Sequence, residues 1–91
     1  MKRFVIEREI PGVGGLDADQ RRQAAVQSNR ALSALGGTVQ WEQSYVVDDK
    51  TFCVYIATDE TAVRAHAELS GFPASRITEV RSVIDPMTAH E

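Results

Sequence analysis

Ninety-one residues, 43% of them apolar and 25% charged, describe one globular domain with a thin core and argue against a disordered chain. A net charge of −3 leaves no basic field for phosphates, which argues against nucleic-acid binding, and a single cysteine, Cys53, excludes an intramolecular disulfide. No apolar run approaches the roughly 20 residues of a membrane span, and Phe4-Val5-Ile6 is too short for the apolar centre of a secretory leader, so the expected location is the cytoplasm, away from membranes.

Residues 3–9 alternate in character around Phe4, Val5 and Ile6 and predict a first strand. Pro11, Gly12, Gly14 and Gly15 stop it and form a loop. Asp17 has the marks of a helix N-cap, because its carboxylate can accept from an orphan backbone N–H and Gln20 stands three residues on, as in a capping box. Helix formers fill 18–35, with Ala24, Ala25, Ala31, Leu32 and Leu35 as a small apolar stripe, and Gly36-Gly37 supplies the stop. β-Branched and aromatic residues predict a second strand over 38–47. Val47-Asp48-Asp49-Lys50 is a tight polar turn, and a third strand over 51–58 completes a hairpin. Asp59 caps a second helix that runs to about Ser70, with Glu60 adding negative charge at its positive end. Gly71 and Phe72-Pro73 end that helix, 76–84 is a fourth strand, and Asp85-Pro86 closes a single domain over 1–86. Residues 87–91 are expected to form a loose, flexible tail.

The order β-α-β-β-α-β with right-handed crossovers puts both helices on one face of a four-stranded antiparallel sheet of spatial order 4-1-3-2, an α+β ferredoxin-like sandwich. Side-chain parity then decides the chemistry. In the third strand Phe52, Val54 and Ile56 share one face, and Cys53, Tyr55 and Ala57 the other. The first set is the more apolar and is expected beneath the helices. A two- or four-residue hairpin loop brings Val39, Trp41, Tyr45 and Val47 to that same face, whereas a three-residue loop would place Trp41 and Tyr45 beside Cys53 and Tyr55. The first arrangement is favoured because it keeps Trp41 out of water. Phe4, Ile6, Val80 and Ile84 are expected inward. The helix-free face would then carry Val5, Glu7, Glu42, Ser44, Cys53, Tyr55, Glu79 and Arg81. A half-apolar bare sheet of this kind calls for a cover, and a second copy of the chain supplies one, so a homodimer is expected.

Cys53 with Glu7 and Glu79 on adjacent strands would offer thiolate and carboxylate ligands to a borderline divalent metal. The competing reading is a buried apolar cysteine with the carboxylates paired to Arg8 or Arg81. His66 shares a stripe with Val63, Ala67 and Ser70, as a metal ligand or proton carrier, or as a histidine satisfied by helix C-terminal carbonyls. Asp48 and Asp49 could hold a cation through hard oxygens or simply form the turn. No CxxC, HxxxH or HExxH motif encodes a closed zinc site, the glycine loop lacks a P-loop lysine, and Ser28, Ser33 and Ser44 show no base-plus-acid pattern of a nucleophile.

The segment from Trp41 to Ala57, together with His66 and the run from Gly71 to Val80, closely resembles a bacterial family of small ferredoxin-like proteins of unknown function, some of whose members are named nickel-binding proteins. The likeness extends from Phe4 to Pro86. It implies a homodimer that binds Ni²⁺ to buffer or sequester it, without catalysis. Carried onto this chain, the metal would fall to Glu7, Asp49, Cys53, His66 and Glu79, with Ser44, Tyr55 and Arg81 lining a ligand pocket. Gln43 departs from the family pattern, in which many relatives carry histidine, and a neutral amide is a poorer nickel ligand than imidazole. The alternatives are a dimeric α+β-barrel enzyme or small-ligand binder using Tyr55, Cys53, Glu79 and His66 for proton transfer, or a regulatory partner that uses the second strand as an edge.

Overall fold

Strands β1 (Lys2–Glu9), β2 (Val39–Val46), β3 (Lys50–Ala57) and β4 (Arg76–Val80) pair antiparallel in the order β2-β3-β1-β4, in a computed structural model that describes residues 1–91. Helix α1 (Ala18–Ala34) follows β1, and α2 (Glu60–Ser70) follows β3. This is the β-α-β-β-α-β ferredoxin-like arrangement that the sequence predicts. The helix ends form as expected. Asp17 Oδ1 accepts from Gln20 N at 2.8 Å while Gln20 Oε1 accepts from Asp17 N at 2.9 Å. Asp59 Oδ1 accepts from Ala62 N at 2.9 Å, and α2 stops at Gly71, whose φ of 79° is open to glycine at little cost.

The parity expected for β3 is reversed. Cys53, Tyr55 and Ala57 are buried in one cluster with Val63 of α2, Phe4 and Ile6 of β1 and Val39 of β2, while Phe52, Val54 and Ile56 lie on the helix-free face. The cause is the ladder to β1. Residues directly opposite in an antiparallel pair share a face, and the register sets Phe4 opposite Tyr55, Ile6 opposite Cys53 and Arg8 opposite Thr51. With Phe4 and Ile6 inward, as the sequence suggests, β3 has no choice. Comparing the hydrophobicity of its two faces in isolation gives the wrong answer, because the more apolar set faces away from the helices.

In the hairpin, Val47 N donates to Lys50 O at 3.0 Å, which leaves Asp48-Asp49 at the tip and places Tyr45 opposite Phe52. A β-bulge between Trp41 and Gln43 inserts one extra residue and flips the parity of β2 beyond it. Trp41 therefore faces inward opposite Tyr55, whereas Tyr45 is exposed on the other side, so the expected single apolar set of β2 is split. Strand β4 is shorter than expected. Ile77 and Glu79 stand opposite Ile6 and Phe4, and Val80 stands opposite Arg3, so Val80 and Glu79 exchange the faces assigned from sequence. Ile84 lies beyond the sheet and is exposed. The C-terminal residues Pro86–His90 form a 3-10 turn capped by Asp85, whose carboxylate accepts from Met87 N and Thr88 N.

Candidate functional site

The inward row of β1 runs Phe4, Ile6, Arg8, so the two-residue period carries a guanidinium into the interior. Arg8 is 2% exposed. Its Nη1 donates to Pro73 O at 2.7 Å and to Phe72 O at 3.4 Å, two carbonyls of the stretch that leads from α2 to β4. The guanidinium carbon lies 5.8 Å from the Tyr55 ring centroid and 5.9 Å from that of Phe72, within cation–π range of both. Its Nη2 is buried and has no hydrogen-bond partner. The cations that form ion pairs are Lys2, Arg3, Arg22, Lys50, Arg64, Arg76 and Arg81, and Arg8 is not among them.

Beside it, His66 projects from α2 and is fully buried. Its Nε2 lies 3.1 Å from Ser28 Oγ of α1, and its ring centroid is 5.0 Å from that of Tyr55. The other ring nitrogen, Nδ1, is buried without a partner. Burial pushes the His66 pKa below the usual imidazole value, and the Arg8 charge adds to this against the opposing effect of Ser28. Burial likewise pushes the Tyr55 phenol up, with the Arg8 charge opposing. At neutral pH the cluster is therefore one permanent cation among a neutral imidazole, a neutral phenol and a serine hydroxyl. Such a group attracts an anion or an electron-rich atom and opposes a second cation.

The residues expected from the sequence are distributed as follows. Tyr55 and His66 meet in this cluster, and Cys53 shares its face of β3, with the Sγ 3.3 Å from Thr51 Oγ1. Ser44 stands opposite Cys53 and accepts from Trp41 Nε1 at 3.0 Å. Glu7 is on the opposite, helix-free face, 3.5 Å from Lys50 Nζ and 4.0 Å from Arg76 Nε. Asp49 is at the hairpin tip, where its carboxylate accepts from Gly12 N at 2.9 Å and its carbonyl from Ile10 N at 3.0 Å. Glu79 is on β4 beside Lys2 and Arg81, and Arg81 itself is almost fully exposed beyond the strand. The expected pairing of Cys53 with Glu7 across one sheet face is therefore not formed; as the competing reading had it, Cys53 is buried and Glu79 lies 3.9 Å from Arg81 Nη1, whereas Arg8 pairs with neither carboxylate.

No three His, Cys, Asp or Glu side chains gather into a group that could hold a metal ion. The two softest donors, Cys53 and His66, lie on the side of the sheet that holds the buried Arg8. The residues of one chain thus do not fit a resident nickel centre, which needs several converging N, S or O donors.

Sequence reasoning missed Arg8 and Ser28. Both carried a signal. Arg8 continues the inward row of Phe4 and Ile6, and Ser28 falls between Ala24 and Ala31 on the helix stripe at the spacing of one turn.

Residues 4–80 match the family described as Nickel responsive protein SCO4226-like. Among solved structures, the chain is similar to that described as "Crystal structure analysis of SCO4226 from Streptomyces coelicolor A3(2)", at 25% identity over 90% of this chain and 99% of that one, with a TM-score of 0.73. No curated protein matches.

Proposed function

Because the chain belongs to the SCO4226-like family of nickel responsive proteins, we propose that it is a non-catalytic Ni²⁺-binding protein that works as a homodimer, with the metal held by donors from two chains. The observation that carries this reading is the helix-free sheet face. Val5, Phe52, Val54 and Ile56 are only half-buried there, beside ion pairs of both signs, Arg3–Glu42 and Lys50–Glu7. A surface of mixed charge around an apolar centre suits pairing with its own copy. The C-terminal residues Val83, Ile84 and Met87, exposed by 63%, 79% and 69%, add apolar area for a partner. Donors too dispersed to bind nickel within one chain can converge when two chains meet, and Glu7 is the candidate ligand that lies on this face.

Light scattering on the eluted protein, followed by calorimetric titration with Ni²⁺ in chelator-free buffer, tests the reading. A dimeric mass with saturable heat and no more than one ion per two chains is expected. A monomeric mass, or no saturable heat, overturns it.

A second reading, a small-ligand binder, is favoured by a separate observation. Arg8 Nη2 and His66 Nδ1 are both buried without partners, on side chains packed against the same Tyr55 ring. Buried donors and acceptors are nearly always satisfied, and an exception calls for a cause, of which a bound water, ion or small ligand is one.

A further inference from the structure

The geometry points to Arg8, His66, Tyr55 and Ser28 as an interior site for a small oxyanion of the carboxylate class, an inference that rests on the second, small-ligand reading. Two independent features carry it. The first is charge. Arginine cannot shed its proton, yet Arg8 is 2% exposed and no carboxylate reaches it within ion-pair distance. Two backbone carbonyls and two aromatic faces cradle the cation without neutralising it. The second is unused hydrogen-bonding capacity. Nη2 makes no hydrogen bond within normal distance, although the Tyr55 phenol is near enough to sense the guanidinium as a donor, and His66 Nδ1 is likewise unpartnered. Ser28 occupies Nε2 as either donor or acceptor, so the imidazole can take the tautomer that presents an N–H at Nδ1. A charge-assisted N–H···O bond from the guanidinium, joined by a neutral imidazole N–H, is the donor set that a carboxylate oxygen pair accepts.

A surface groove of about 400 Å³ is lined by Arg64, Ala67, Glu68, Gly71, Phe72 and Ala74. Phe72 is shared between this groove and the cluster, since its half-buried ring lines the groove and lies 5.9 Å from the guanidinium carbon, and Arg64 in the groove wall adds a positive charge. Glu68 in the same wall disfavours large polyanions, which leaves small monoanions as the fitting class.

The test is an NMR titration of the ¹⁵N-labelled full chain with sodium formate, sodium acetate and inorganic phosphate, at constant ionic strength against sodium chloride and above the pH range in which histidine titrates. Saturable shifts centred on the Arg8 guanidinium N–H, the His66 ring and the Ser28 amide are expected with formate or acetate, and a smaller response with phosphate. Arg8→Lys should weaken the response by about tenfold or more, because the planar fork is lost while the charge stays. If that variant does not fold, the wild type still decides. Its thermal midpoint must rise with formate by mass action and not with chloride at equal ionic strength. No saturable shift from any of the three anions, or an equal effect from chloride, overturns the site. Saturation by phosphate alone overturns the carboxylate assignment. Mass and nickel titration measured on the same sample separate the two readings. A monomer silent to nickel that saturates with formate refutes the metal-binding dimer and leaves the anion site. A nickel-binding dimer indifferent to anions refutes the site alone.

Discussion

Ser28 Oγ and His66 Nε2, 3.1 Å apart, join α1 to α2 by a side-chain hydrogen bond inside the core. Both residues are buried, so neither group has water to fall back on. Ser28→Ala removes the bond and leaves His66 with two unpartnered ring nitrogens, at a cost of about 1–3 kcal/mol. For a domain of this length each kcal/mol lowers the thermal midpoint by about 4–8 °C. Thermal unfolding followed by circular dichroism checks this. An unchanged midpoint would show that the two helices do not depend on the contact.

The same histidine makes stability depend on acid. Its pKa is lowered in the folded chain, by burial first and by the Arg8 charge second. The unfolded chain therefore binds a proton that the folded chain refuses. Stability is full above the unfolded imidazole value of about 6.5 and falls as pH drops below it, until the folded value is reached. His66→Gln keeps a polar side chain but cannot titrate, so its stability should lose this step. Urea unfolding across that window, compared between the two proteins, gives the answer, and parallel curves would contradict the assignment to His66.

Tyr55 sets the alkaline limit by the mirror argument. Its phenol is raised, chiefly by burial. Above about pH 10 the unfolded chain releases the phenolic proton while the folded chain retains it, so stability is lost as pH rises from there towards the folded value. Tyr55→Phe should be less sensitive to alkali, although it forfeits any hydrogen bond made by the hydroxyl. Phenolate absorbance of the wild type should show one late-titrating tyrosine that is missing from Tyr55→Phe.

What the sequence reveals and what it hides follow the range of the forces involved. Caps and stops are local, so Asp17, Gln20, Asp59 and Gly71 could be read within a few residues of chain, and with them the element order and the topology. The face of β3 is not local. It is fixed by β1, some fifty residues earlier, and the contrast between Phe52, Val54, Ile56 and Cys53, Tyr55, Ala57 misleads because both faces are covered or half-covered. The bulge at Trp41/Gln43 leaves no clear mark in Trp41-Glu42-Gln43, so the split between Trp41 and Tyr45 stays hidden. Once parity is reversed, Glu7 parts from Cys53, and the metal constellation suggested by adjacent strands is not formed within one chain. The side-chain cluster that does form depends on Arg8, whose charge marks it as a surface residue unless its place in the β1 alternation is given more weight.

Gly14 illustrates a constraint the composition alone does not explain. Its backbone N–H donates to Asp48 O at 2.9 Å, and a Cβ there would come within 2.6 Å of Val47 O and 2.8 Å of Asp48 Cα. Both neighbours are backbone atoms of the hairpin, which cannot swing aside. Gly14→Ala should therefore push the glycine loop off the hairpin and destabilise by about 1–3 kcal/mol, the range for forced overpacking. Gly15→Ala, with nothing within 4 Å of the added carbon, is the control and should be nearly silent. Equal unfolding midpoints for the two variants would refute the close approach.

The reversed parity of β3 gives opposite consequences for neighbouring positions. Val54 is half-buried on the helix-free face, whereas Cys53 is 5% exposed and packed among Phe4, Ile6 and Val63. Cys53→Lys forces a second cation into the interior face that already holds the unneutralised Arg8 and should prevent folding at ordinary temperature, because such a burial costs several kcal/mol of a total stability of about 5–15. Val54→Glu leaves the single chain folded, since its side chain can reach water, but it sets like charges against each other if two such faces meet. Its circular dichroism should match the wild type while light scattering moves from a dimeric to a monomeric mass. A folded Val54→Glu dimer would place the interface elsewhere. A folded Cys53→Lys would mean that the inward row of β3 had been misassigned.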